Sequence, residues 1–88
     1  MNQILIAEDN PRISSFLETG LQAHGFTTAI VATGSEAINV ADSKIFDLLI
    51  LDIGLPDLDG FDVLRNLRGR GETLPIIVLT ARDTVDDT

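Results

Sequence analysis

Three apolar runs in this 88-residue chain end abruptly on polar groups. Ile4-Leu5-Ile6-Ala7 stops at Glu8-Asp9, Leu48-Leu49-Ile50-Leu51 stops at Asp52, and Ile76-Ile77-Val78-Leu79 stops at Thr80-Ala81. If the runs are parallel strands of one sheet, three carboxylates and a hydroxyl converge on a single edge, where ligands bind in open α/β sheets. Carboxylates gathered there repel and raise one another's pKa unless an opposite charge relieves them. Mg²⁺ fits that need, because it prefers oxygen ligands, keeps several waters, and is held by one or two carboxylates together with phosphate oxygens. Each acidic residue alone has a plainer explanation as an exposed strand end beside a helix N-terminus, where negative charge is favourable. Their convergence is what points to function.

The elements that must position these groups can be read from the surrounding pattern. Leu48 to Leu51 is uninterrupted by polar residues, as in a strand covered on both faces, so it belongs at the centre of the sheet. The loop after Asp52 is punctuated by Gly54, Pro56 and Gly60. Asn10 and Pro11 read as an N-cap and first helical position, followed by the stripe Ile13, Phe16, Leu17, Gly20 and Leu21, with Gly25 as a stop after His24. Phe26 to Ile30 is Thr-rich and suits an edge strand. Thr33 and Glu36 have capping-box spacing for a second helix through Ala37, Ile38, Val40 and Ala41. Phe61, Leu64 and Leu67 mark the buried side of a third helix ended by Gly69 and Gly71. Pro75 leads into the fourth strand, Ile76 to Leu79, and Thr84 and Asp87 have the spacing of another helix start. The order β-α-β-α-β-α-β implies an α/β fold with right-handed crossovers and helices on both faces of a parallel sheet.

Composition narrows the function. The chain reads as one domain over residues 1–88, with 44% hydrophobic and 23% charged residues. No apolar run approaches the roughly 20 residues of a membrane span, and the N-terminus lacks the basic flank of a signal peptide, so a cytoplasmic location is expected. The absence of cysteine excludes disulfides, thiolate metal sites and cysteine catalysis. A net charge of -8 with six scattered Lys and Arg residues argues against direct nucleic-acid binding and suits a divalent cation.

Along its entire length the sequence resembles the receiver domains of two-component response regulators. Glu8-Asp9 looks like the family's acidic pair and Asp52 like its phosphoacceptor. Ile53-Gly54-Leu55-Pro56-Asp57-Leu58-Asp59-Gly60 is similar to its following loop, and Thr80-Ala81 to its switch hydroxyl and small neighbour. The specific signal is an apolar strand ending in Asp and followed by Gly-Leu-Pro-Asp-x-Asp-Gly. The resemblance implies a flavodoxin-like, doubly wound parallel sheet of order 2-1-3-4-5, of which four strands (2-1-3-4) and three helices are expected here. It implies Mg²⁺ held by Glu8 and Asp9 partly through water, by Asp52 directly, and by the backbone carbonyl of Ile53 or Gly54, with Gly54 favoured. It further implies that Asp52 takes a phosphoryl group from a sensor histidine kinase, that Thr80 donates to a phosphoryl oxygen, and that small Ala81 keeps the approach open. Such a domain is a phosphoacceptor and not an enzyme, at most assisting its own phosphorylation and dephosphorylation.

The family pattern continues with a fourth helix, a fifth strand ending in a phosphate-contacting lysine, an aromatic switch residue and a fifth helix, which the sequence as given does not include. Its only lysine, Lys44, is expected at the end of the second helix. An alternative is therefore a non-switching, receiver-derived interaction fragment, with self-association through an exposed fourth strand. Other readings fail on single positions. A calcium loop at Asp57, Asp59 and Gly60 would need ligands where Leu55 and Asn66 stand. Gly69-Arg70-Gly71 lacks the context of a dinucleotide fingerprint, and no P-loop is present. A phosphatase with an aspartate nucleophile needs a second carboxylate where Gly54 lies. His24 is expected beside a helix C-terminal dipole, Phe16, Phe26, Phe46 and Phe61 in the core, and Asp83, Asp86 and Asp87 in a first helical turn. The loop's Gly-Leu-Pro-Asp form is associated in the family with winged-helix DNA-binding outputs.

Overall fold

The structure, a computed structural model, describes residues 2–79. Thr80 and Ala81, and the helix start expected around Thr84 and Asp87, lie outside the described residues. Strands β1 (Gln3–Ala7), β2 (Thr27–Val31), β3 (Leu48–Asp52) and β4 (Ile76–Leu79) alternate with helices α1 (Pro11–Ala23), α2 (Gly34–Val40) and α3 (Gly60–Gly69). The four described strands pair in parallel, as the sequence pattern predicts, and in the order β2-β1-β3-β4, as the family resemblance implies for a flavodoxin-like sheet. The uninterrupted apolar run of β3 does occupy an interior position, between β1 and β4.

Side-chain alternation along β1 and β3 divides the core in two. Leu5, Ala7, Leu49 and Leu51 point to the face covered by α2 and α3, where they meet Ala37, Ala41, Val63 and Leu67. Ile4, Ile6 and Ile50 point to the other face, against Leu17 and Leu21 of α1. Both faces of the central strands are therefore dry, which is why these strands read as continuous apolar runs.

The helix boundaries follow local chemistry. Asn10 Oδ1 accepts from the Arg12 amide at 3.0 Å, and Pro11 opens α1. His24 caps the other end, its Nδ1 2.9 Å from the Gly20 carbonyl, and Gly25 turns the chain away at φ 88°. Thr33 Oγ1 accepts from the Glu36 amide at 3.1 Å, but the returning contact differs from a simple capping box. Glu36 Oε1 reaches the amide of Ala32 at 3.2 Å, one residue upstream of the cap. α3 runs to Gly69, and Gly71 supplies the left-handed turn at φ 85°.

Several sequence expectations are corrected. The covered face of α1 is Ser14, Leu17, Glu18 and Leu21, while Phe16 is 78% exposed and Ile13 also faces solvent. Ser14 tolerates burial because its hydroxyl donates to the Pro11 carbonyl at 3.3 Å, and Glu18 is engaged by the Thr28 hydroxyl at 3.0 Å. On α3 the packed face is Gly60, Val63, Leu64 and Leu67, with Phe61 exposed at its edge. Of the four phenylalanines only Phe46 is buried, and Phe26 is partly so. Strand β2 begins at Thr27, because the Phe26 amide still bonds back to Leu21 in the turn after α1. Lys44 lies in an exposed turn beyond the end of α2.

Gly60 matters for space. A Cβ there would lie 2.5 Å from the Ile53 Cα, so α3 can start this close to β3 only without a side chain. Gly20, by contrast, sits inside α1 with nothing within 4 Å of the corresponding position. Gly60→Ala is expected to destabilise the fold by about 1–3 kcal/mol through overpacking. Gly20→Ala should stabilise it by about 1 kcal/mol through helix propensity. Urea unfolding of the two variants checks both signs.

Candidate functional site

The register of the central strands assembles the acidic cluster. Ala7 pairs with Leu51, so the residues that follow them, Glu8 and Asp52, reach the same edge together. The Glu8 amide donates to the Val31 carbonyl at 3.0 Å, extending the tie between β1 and β2 to the point where the chain leaves the sheet. The Glu8 side chain turns inward, only 4% exposed, and its Oε2 accepts from the Asn10 amide at 2.9 Å. Asp52, the last residue of β3, is 8% exposed, and its Oδ1 accepts from the Gly54 amide at 3.1 Å. Asp9 is exposed at the rim. Carboxylate oxygens of Glu8, Asp9 and Asp52 all lie within 4.8 Å of one another, the one such group among the described residues.

This proximity has an electrostatic signature. Burial, chiefly, pushes the Glu8 pKa above the ordinary carboxylate range, and the negative charges of Asp52 and Asp9 add to the rise against the opposing Asn10 N–H. The site concentrates more negative charge than its own donors neutralise.

The loop after Asp52 is shaped by backbone bonds. The Ile53 amide donates to the Leu79 carbonyl at 3.2 Å, and the Ile53 carbonyl accepts from the Gly60 amide at 3.1 Å. Leu55 folds into the core beneath α2 and α3. Asp59 caps α3 by accepting from the Phe61 amide at 2.8 Å. Asp57 reaches across to α2, where its Oδ1 accepts from the Gly34 amide at 2.7 Å and its Oδ2 from the Ser35 amide and hydroxyl at 3.0 and 2.8 Å. These three donors hold the Asp57 pKa down at about 2.

Glu8, Asp9 and Asp52 are thus brought together as the sequence predicts, and Gly54 touches Asp52 through its amide. The proposed contributions of Thr80 and Ala81 concern residues outside those described. Lys44 lies in the turn that leads into the start of β3, the opposite end of that strand from Asp52. Among the long-range polar ties that sequence reasoning missed are Asp57 to α2 and Arg70 to the Ile38 and Ala41 carbonyls at 2.9 and 2.6 Å. No local pattern announces either. The Asp59 cap was within reach, since Asp before Gly and an apolar-periodic segment is a helix-start signal.

Comparison with known proteins gives the same picture. The family model for the response regulator receiver domain matches residues 4–88. The chain is 46% identical over 85 residues to the response regulator protein PmrA of Pseudomonas aeruginosa, and 41% identical over 85 residues to the transcriptional regulatory protein TctD of Salmonella typhimurium. Each alignment covers 97% of this chain and 38% of the relative, so the chain spans well under half the length of these curated relatives. Among solved structures it is similar to the response regulator TrrA of Thermotoga maritima in complex with Mg²⁺-BeF, with a TM-score of 0.85, 35% identity, and coverage of 93% of this chain and 71% of that one. It is also similar to the receiver domain of a sensor histidine kinase from Pseudomonas aeruginosa with a magnesium ion coordinated in its active-site cleft. There the TM-score is 0.87 and the identity 34%, covering 98% of this chain and 72% of that one. With the strand order, the acidic edge and a match running almost from end to end, the chain belongs to the response regulator receiver domain family.

Proposed function

We propose that this chain accepts a phosphoryl group on Asp52 from a sensor histidine kinase, with Mg²⁺ held at the acidic edge. The observation that carries the reading is the convergence of Glu8, Asp9 and Asp52 within 4.8 Å. The donor set fits the ion: all three are hard oxygen ligands, and a buried Glu8 with a raised pKa signals charge that a divalent cation would relieve. Asp52, Glu8 and Asp9 would hold it. The backbone carbonyl of Gly54 is the better fourth candidate, because the Ile53 carbonyl already accepts from Gly60. When bound, Mg²⁺ would neutralise charge on the carboxylate and phosphoryl oxygens. The magnesium-bearing relatives support this assignment.

The residues of the chain supply the rest. The Gly54 amide holds one carboxylate oxygen of Asp52 and so fixes the orientation of the nucleophile. Attack by Asp52 forms an oxygen–phosphorus bond as the phosphorus–nitrogen bond of the donor phosphohistidine breaks; the imidazole departs with the electron pair and takes up a proton. Thr80 and Ala81 remain the proposed switch hydroxyl and small neighbour. In this reading the domain works in the cytoplasm as a phosphoacceptor and not as an enzyme, and makes no direct contact with nucleic acid. No helix among the described residues is long and apolar enough to cross a membrane. The non-switching alternative is not favoured, since the acidic cluster is intact. Pairing of two copies through β4 is a subsidiary proposal, tested by sedimentation over a range of concentrations.

Titration with Mg²⁺ is expected to shift the amide resonances of Glu8, Asp9 and Gly54, with weaker binding in Asp52→Asn; an unchanged spectrum at tens of millimolar metal would remove the metal from the proposal. Acetyl phosphate should label the wild-type chain and leave Asp52→Asn unlabelled, and labelling that persists in the variant would refute Asp52 as acceptor. Glu8 provides a third test, in metal-free protein. An acid whose folded pKa is raised favours folding below its unfolded pKa and loses that contribution as pH rises through the folded value. Glu8→Gln should therefore raise the urea midpoint at pH 7, and the gain should fade as the pH falls through the window that begins above Glu8's ordinary 4.5. A gain that persisted below that window would place its cause elsewhere.

A further inference from the structure

We infer that Asp57 is a positioning residue for the phosphoacceptor site, fixing the loop that carries Gly54 by anchoring it to the N-terminus of α2. The inference rests on the reading of Asp52 as phosphoacceptor and deepens it.

The loop from Ile53 to Asp59 is held firmly at its ends, by Leu79 and Gly60 on Ile53 and by the capping role of Asp59. Gly54, whose amide orients Asp52, has no side chain of its own to fix its place, so its position is set by how the neighbouring loop is tethered. Leu55 and Leu58 supply apolar contacts in the middle of the loop. Leu58 lies so close to α2 that a Cβ on Gly34 would stand 2.8 Å from the Leu58 Cβ. The polar tether of that segment is Asp57, with three short bonds to Gly34 and Ser35.

The donors of α2 show why this tether has no substitute. Thr33 Oγ1 takes the Glu36 amide, and the Ala37 amide already reaches the Thr33 carbonyl at 3.1 Å. The amides of Gly34 and Ser35 are the remaining first-turn donors, which have no partner within a helix. One carboxylate satisfies both and gains from the positive end of the helix. Residues 34 and 35 of α2 are thereby locked to residues 57 and 58 of the loop by a polar and an apolar contact side by side. Removing the carboxylate unties the loop and strands two amides.

The test uses the whole chain and compares Asp57→Ala with Arg70→Ala. The latter removes the bonds to Ile38 and Ala41 at the other end of α2, and so loosens the same helix without touching the loop. Two readouts are taken against the urea midpoint: hydrogen exchange of the Gly54 amide in metal-free protein, and Mg²⁺ affinity by titration. Asp57→Ala should speed Gly54 exchange and weaken Mg²⁺ binding by about tenfold, as loss of an outer-shell partner does. Asp57→Asn, which keeps one acceptor oxygen, should fall between, and Arg70→Ala should leave both readouts unchanged. Unaltered Gly54 exchange and Mg²⁺ affinity in Asp57→Ala would overturn the inference, as would an equal effect from Arg70→Ala. The exchange measurement needs no metal, so failure of the wild-type chain to bind Mg²⁺ would count against the phosphoacceptor reading alone.

Discussion

The crowding of three carboxylates, Glu8, Asp9 and Asp52, at one sheet edge is the constraint on which the rest of the structure turns. Two of these carboxylates are almost fully buried, and burial of negative charge without a compensating cation works against folding. The sheet enforces the arrangement: with Ala7 opposite Leu51, Glu8 cannot leave the edge without breaking the pairing of β1 with β3. The apolar cores on both faces of those two strands supply the stabilisation that offsets the crowding. Stability is given up locally to hold three carboxylates together at one edge of the sheet.

Much of this was legible in the sequence, for a definite reason. Strands buried on both faces read as unbroken apolar runs, so β1 and β3 announced themselves, and their polar end residues marked the acidic edge; β4 shows the same unbroken run although its residues are only partly covered. Helix faces were harder to place. Ile13, Phe16, Leu17, Gly20 and Leu21 fit a helical stripe, yet the covered side of α1 includes Ser14 and Glu18, polar residues whose groups are satisfied by Pro11 and Thr28. Apolar periodicity does not register a buried hydroxyl. A similar limit applies to Gly60, which the sequence marks as punctuation but which is needed for its lack of a side chain beside Ile53.

The polar ties on α2 lay further out of reach. Asp57 and Arg70 bind opposite ends of one short helix, from positions 22 or more residues away in the chain. Apart from the Ser35 hydroxyl, their partners are backbone groups, which carry no residue identity that a motif could record. Seven residues form too short a helix to be stable alone, so α2 depends on these external partners at both ends as well as on Ala37 in the core.

The order of the sheet also bears on how the chain reaches its native state. Parallel pairing joins Ile4 to Leu48 and Gln3 to Thr27, so every strand contact must close a long loop. Folds built from such distant contacts form more slowly than those built from local ones. The pairing of β1 with β3 closes the longest of these loops, and it is the same pairing that brings Glu8 to Asp52. Of the strand pairings among the described residues, the one with the greatest closure cost is therefore the one that creates the acidic edge.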